Sequence, residues 1–207
     1  MQISNVSSTP KGVGKNSKDE TVAPVKVFVG LSGGVDSAVS ALLLRDAGYD
    51  VTGVYIKTWQ PDYVECTWKS DRQDAMRVAA QLGIKFLTLD LEKEYKADVI
   101  DYMISEYRKG NTPNPDIMCN RFIKFGGFWE FAKLSGADYI ATGHYATVRN
   151  GRLYRAVDEQ KDQTYFLYRV SSDALDRTLF PLGIYKKEHV RKLAHDRKLA
   201  TAAKKDS

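Results

Sequence analysis

The chain has 207 residues, 43% hydrophobic and 28% charged, the make-up of one globular domain with an appendage and not of a disordered chain. Its longest uninterrupted apolar run, residues 41–44, falls far short of the ~18 residues that cross a bilayer, so no helical transmembrane segment is expected. The net charge of +5 sits in residues 186–207, which hold eight Lys/Arg against three Asp/Glu and read as a solvated helix face or a polyanion contact.

Residues 1–24 are rich in Ser, Thr, Lys and Gly, with no apolar core and no Arg. They read as a disordered tail and not a secretory or transit segment, which points to the cytosol. Short apolar runs at 25–29, 51–56, 84–89 and 139–142 read as strands. Helical patterns fill 37–47, 70–82, 90–109 and 121–134, so the fold class is α/β with a mostly parallel sheet covered on both faces. After Gly143 the alternation stops. Runs at 146–148 and 153–157 flank Asn150-Gly151 and predict a tight hairpin, and short helices are expected near 172–177 and 186–198. A domain boundary is expected near 145–160. Cys66 and Cys119 form no CxxC pair and the three histidines no i,i+4 pair, so no metal site is expected, and Cys66 reads as structural or incidental.

Gly30-Leu31-Ser32-Gly33-Gly34-Val35-Asp36-Ser37 falls between the first strand and the first helix. Adjacent glycines let successive N–H groups converge on an anion, and the helix adds its positive end. Neither GxxxxGK[ST] nor GxGxxG is present. Further on, Pro113 and Pro115 stiffen a loop around Asn114, with Asp116 next and Cys119 three residues later. Amide, carboxylate and thiol together suit orienting a polar heterocycle, moving a proton and attacking as a nucleophile. A helix starting at Met118 or Asn120 is expected to lower the Cys119 pKa, with Lys124 adding positive charge. His144, at the end of the fourth strand, reads by itself as a structural histidine.

The string at 30–37 resembles the SGGxDS signature of the PP-loop ATP pyrophosphatase superfamily. Thr112-Pro113-Asn114-Pro115-Asp116-Ile117-Met118-Cys119-Asn120, with Ile123-Lys124-Phe125 behind it, is similar to the TPNPDxxCNxxIKF stretch of bacterial tRNA-specific 2-thiouridylases. Ala141-Thr142-Gly143-His144-Tyr145 and Lys161-Asp162-Gln163-Thr164-Tyr165-Phe166-Leu167 resemble the same family's ATGHY and KDQxYFL. The resemblance implies ATP with Mg²⁺ held by Gly30, Leu31, Ser32, Gly33, Gly34, Val35, Asp36 and Ser37, with Ile56 and Gly143. It implies tRNA contacts at Asn114, Pro115, Asp116, His144, Lys161, Asp162 and Gln163, proton handling by Asp116, and Cys119 as the thiol nucleophile. The family adenylates the wobble uridine and replaces its C2 oxygen with sulfur from a persulfide donor protein, and a disulfide bond is among its features.

On that basis residues 25–157 are the ATP-binding catalytic domain and 158–207 the start of a helical tRNA-contacting region. The family's second, persulfide-carrying cysteine lies a few residues past a KKDS segment, and the sequence given ends at Lys204-Lys205-Asp206-Ser207. The expectation is therefore ATP binding without full thiolation. Two alternatives stand beside it: a PP-loop ligase or synthetase that adenylates another carbonyl, and a non-catalytic ATP- or tRNA-binding remnant.

Overall fold

The first strand, β1 (Lys26–Gly30), sends Val27 and Val29 into one hydrophobic cluster and Phe28 into another, the alternation of a strand buried on both faces. The computed structural model describes residues 23–61 and 67–205. Further strands are β2 (Asp50–Lys57), β3 (Lys85–Asp90), β4 (Tyr139–Ala141), the hairpin pair β5 (Thr147–Arg149) and β6 (Arg152–Tyr154), and β7 (Thr178–Leu179). Five of them make one sheet, ordered β3-β2-β1-β4-β7, with every pairing parallel. The chain builds outward from β1 to β3 and then returns to β4 on β1's other side. That reversal opens a crevice between the carboxyl ends of β1 and β4, where open α/β sheets bind ligands.

Helices α1 (Val35–Asp46) and α2 (Trp68–Leu82) cover one face. α2 buries Ala75, Val78, Ala79 and Leu82, one stripe at helical spacing, and ends at Gly83 in the left-handed conformation. Two longer helical stretches follow. α3 (Glu92–Tyr95) runs through a π-helical segment, Lys96–Asp101, into α4 (Tyr102–Arg108). α5 (Pro115–Met118) runs through a second, Cys119–Gly127, into α6 (Phe128–Leu134), which covers the opposite face together with α7 (Ser172–Asp176). α8 (Lys187–Asp196) returns to the first face and buries Val190 and Ala194 in the cluster that holds α1. No helix of the described residues is long and apolar enough to cross a membrane.

The α/β class and the hairpin agree with expectation: Asn150 (φ 50°) and Gly151 (φ 66°) both take positive φ, as a two-residue primed turn requires. Element boundaries differ in places. The helix expected from 90 starts at Glu92 because Asp90 still pairs in β3, and the helix expected from 121 starts at Pro115, capped by Asn114. β7 was not foreseen, since two residues carry no periodicity. The basic C-terminal run is not a bare solvated face. Arg197 pairs with Asp46 at 2.7 Å, and Lys204 with Asp71 and Asp74 at 2.8 and 2.9 Å, fastening the segment to α1 and α2. The expected tail, apart from residues 23 and 24, lies outside the described residues, as do Cys66, Asp206 and Ser207.

Phe128 is fully buried beneath the carboxyl end of β1, where a Cβ on Gly30 would stand 3.6 Å from its ring. Phe128→Ala is expected to lower the unfolding free energy by about 3–5 kcal/mol in urea denaturation. A loss below about 1 kcal/mol would mean that this ring does not support the strand.

Candidate active site

The loop leaving β1 is closed by its own side chains. Leu31 turns back into the core, where a Cβ on Gly53 would meet its Cδ1 at 2.5 Å, and its N–H donates to Val54 O at 2.8 Å. Ser37 Oγ accepts the Ser32 N–H at 3.2 Å and donates to Gly34 O at 3.2 Å. Gly33 has φ 78°, and a Cβ there would stand 2.4 Å from Asp71 O, so a side chain is excluded twice over. Gly34 is the N-cap of α1 and brings no capping side chain. The first-turn N–H groups of α1 are thereby left for a ligand, at the positive end of a 12-residue helix. Val35 is buried in the core, and Gly33, Gly34 and Val35 stand outside the lining of the cavity described next.

A cavity of about 620 Å³ opens at this loop, at the switch point of the sheet. Gly30, Leu31, Ser32, Asp36 and Ser37 line it, as do Ile56 and Gly143. Cys119 and Lys124 line it from the second helical stretch, and His144, Lys161, Asp162 and Gln163 from the chain beyond β4. Residues that are distant in sequence thus meet around one space.

Several of them also organise the walls. The Asp36 carboxylate accepts from Tyr145 Oη at 3.0 Å and from Lys187 Nζ at 2.7 Å on both oxygens. Gln163 accepts the Tyr145 N–H and donates its own N–H to Tyr145 O, each at 2.9 Å. Asp162 accepts the Ala156 N–H at 2.7 Å through one oxygen and bonds Thr164 through the other. His144 Nδ1 lies 2.7 Å from Thr142 Oγ1, and its ring is edged by Phe125 and Phe180. Burial, reinforced by Lys124, holds that imidazole neutral, far below its usual range.

Lys187, Tyr145, Tyr95, Thr58 and Phe166 line the cavity without having been singled out by the sequence. For Tyr145 and Phe166 the surrounding motifs were a usable signal. For Lys187 there was none, because its partner Asp36 lies 151 positions away.

Asn114, Pro115 and Asp116 stand outside the cavity lining. Asn114 Oδ1 accepts the N–H groups of Asp116 and Ile117 at 3.0 and 3.3 Å, so it caps the helix, and Pro115 fills the first turn. Asp116 is exposed, one turn ahead of Cys119. The expectation of a lowered Cys119 pKa is corrected. The helix begins four residues earlier, at Pro115, and burial pushes the thiol up; Lys124 opposes this and Asp116 reinforces it. Cys119 is a free thiol, so the disulfide that came with the resemblance finds no support there.

A doubly wound parallel sheet with a glycine-rich loop and a cavity at its switch point is the architecture of a ligand-binding α/β domain. Residues 25–207 match the tRNA methyl transferase HUP domain model, and the chain belongs to that family. It is 50% identical over 194 residues to the tRNA-specific 2-thiouridylase MnmA of Christiangramia forsetii, covering 88% of this chain and 49% of that protein. Against the MnmA of Streptococcus pyogenes serotype M2 the identity is 51% over 190 residues, covering 88% and 51%. The chain therefore spans about half the length of the curated relatives it matches. A solved 4-thiouridine synthetase–RNA complex with bound ATP shares the fold, with a TM-score of 0.56 at 18% identity over 87% of this chain and 43% of that one.

In a Cys66→Ser background, iodoacetamide alkylation of Cys119 followed by intact mass should have a pH midpoint above the ordinary thiol value of 9.0. Asp116→Asn should move it down and Lys124→Met up. A midpoint below the ordinary value would overturn the burial argument.

Proposed function

We propose that this chain is the ATP-dependent catalytic portion of a cytoplasmic tRNA 2-thiouridylase, a tRNA-uridine 2-sulfurtransferase. The observation that carries the reading is that the glycine-rich loop after β1 and a thiol, Cys119, line one cavity. The name borne by relatives at 50% and 51% identity supports it.

In this reading the α1 N-terminus and the backbone of residues 30–37 hold the ATP phosphates, and Ile56 borders the adenine. The C2 oxygen of the wobble uridine attacks the α-phosphorus, the bond to the bridging oxygen breaks, and pyrophosphate leaves. The adenylated oxygen is now a good leaving group. Sulfur attacks C2, and AMP departs with the former uridine oxygen. The exposed Asp116 and the rim residue Lys161 reach the RNA directly, together with Asn114 and Pro115. His144, Asp162 and Gln163 contact it from the cavity wall.

Because Cys119 rests as a protonated thiol, its proton passes to the adjacent carboxylate Asp116 before the thiolate attacks the inner sulfur of the donor's persulfide. That S–S bond breaks, the outer sulfur leaves as hydrosulfide to attack C2, and Cys119 is left in a disulfide with the donor that a thiol reductant opens for the next turnover. Asp36, the carboxylate beside the glycine-rich loop, is the residue that would hold a magnesium ion. When bound, that ion supplies charge neutralisation for the departing pyrophosphate. Sulfur arrives as a persulfide from a donor protein. A thiol in the cavity distinguishes this reading from an amide-forming PP-loop enzyme, which has no step for Cys119.

The test incubates the chain with ATP, Mg²⁺ and tRNA lacking the 2-thio group, beside a control without tRNA. AMP and pyrophosphate should form only with tRNA. In the full reading frame supplied with a persulfide donor, Cys119→Ser should retain AMP formation and abolish 2-thiouridine. AMP formation independent of tRNA, or dependent on a small carboxylic acid, would overturn the proposal in favour of a ligase.

A further inference from the structure

The hairpin and the 3₁₀ turn after the Lys161-Asp162-Gln163 loop present a face that the phosphate chemistry leaves unused. Residues 146–157 contain Arg149, Arg152 and Arg155 and no carboxylate; residues 163–170 contain Arg169 and no carboxylate. All four arginines are exposed. Among them Tyr154, Tyr165 and Tyr168 are 47%, 65% and 61% exposed. The Tyr165 and Tyr168 rings lie 6.1 Å apart, and the Arg149 guanidinium lies 5.8 Å from the Tyr154 ring centre. Asp176 sits at the tip of the hairpin, against Gly151.

The turn Thr164–Leu167 is firmly held. Leu167 is fully buried, Asp162 ties Thr164 to the end of the hairpin, and the Asn120 side chain donates to Phe166 O at 3.0 Å. Phe166 lines the cavity, and its ring stands 5.4 Å from that of Tyr165. An aromatic series thus leads from the cavity wall out to the surface.

Resting on the function proposed above, we infer that this face stacks the unpaired nucleotides flanking the target uridine. Chemistry on a base inside a cavity requires that base to leave its stack, which strips its neighbours of a stacking partner. Exposed tyrosines restore the stack without regard to sequence, and arginines between them meet the phosphates. Single-stranded RNA satisfies both halves of the face, its rings and its positive charge.

The test measures binding of a labelled, unmodified anticodon stem-loop RNA by fluorescence anisotropy. Tyr165→Ala and Tyr168→Ala should each weaken binding about 5- to 150-fold. The corresponding phenylalanine variants should bind like the parent, because stacking needs the ring and not the hydroxyl. An abasic nucleotide beside the target should weaken the parent's binding and leave an alanine variant's unchanged. Thermal midpoints should stay at the parent value, since both rings are exposed.

If the parent binds the stem-loop no better than a duplex of equal length, the tRNA reading fails and this face with it. If that preference is intact and the alanine variants bind like the parent, this face alone is overturned. Unchanged RNA affinity combined with loss of a parent dimer in sedimentation would assign the face to a second copy of the chain, which also overturns the inference.

Discussion

Two loops meet in a space too small for one methyl group. A Cβ at position 143 would stand 2.8 Å from the Ser37 nitrogen and 2.9 Å from the Asp36 carbonyl carbon. The turn after β4 is therefore seated directly on the glycine-rich loop and first helical turn after β1. Everything else at the site depends on that contact, because it sets where Thr142, His144 and Tyr145 stand relative to the N-terminus of α1. The parallel pairing of β1 with β4 brings the two loops together, and a glycine at each critical point lets them touch.

A second tie runs from the end of the chain. Lys187, at the start of α8, reaches the carboxylate of Asp36 in the first turn of α1, while Arg197 and Lys204 pair with acidic groups on α1 and α2. Three of the eight basic residues in 186–207 thus hold this segment against α1 and α2. One of these pairs, Asp36 with Lys187, lines the cavity itself. The fold thus places a cation and an anion side by side at the mouth of α1, facing the cavity.

Cys119 stands under an opposing constraint. Its place one turn inside a helix, above the small cluster of Leu91, Val99, Met118 and Ile123, fixes the half-buried residue at the cavity wall. Burial favours the neutral thiol, and Lys124 only partly offsets it. A sulfur held in this way is fixed in place by packing and kept in its protonated form by the same packing.

Local pattern was enough for the elements with strong periodicity: β1 and β2, the buried stripe of α2, the Asn150-Gly151 turn, and the glycine loop between strand and helix. It was also enough, through ordered signatures, for the family. Short or context-made features were out of its reach. β7 is two residues long, Asn114 caps a helix that was expected to begin later, and the Asp36–Lys187 pair joins positions 151 apart. By itself, then, the sequence determined that a glycine-rich loop joins the first strand to the first helix and which stretches alternate between strand and helix, because both are short-range properties of the backbone. Only the tertiary structure decided that the loop, the thiol and the distant lysine face one cavity, and that the thiol is buried and not activated by a helix end. Proximity and dielectric are properties of packing, and no local pattern carries them.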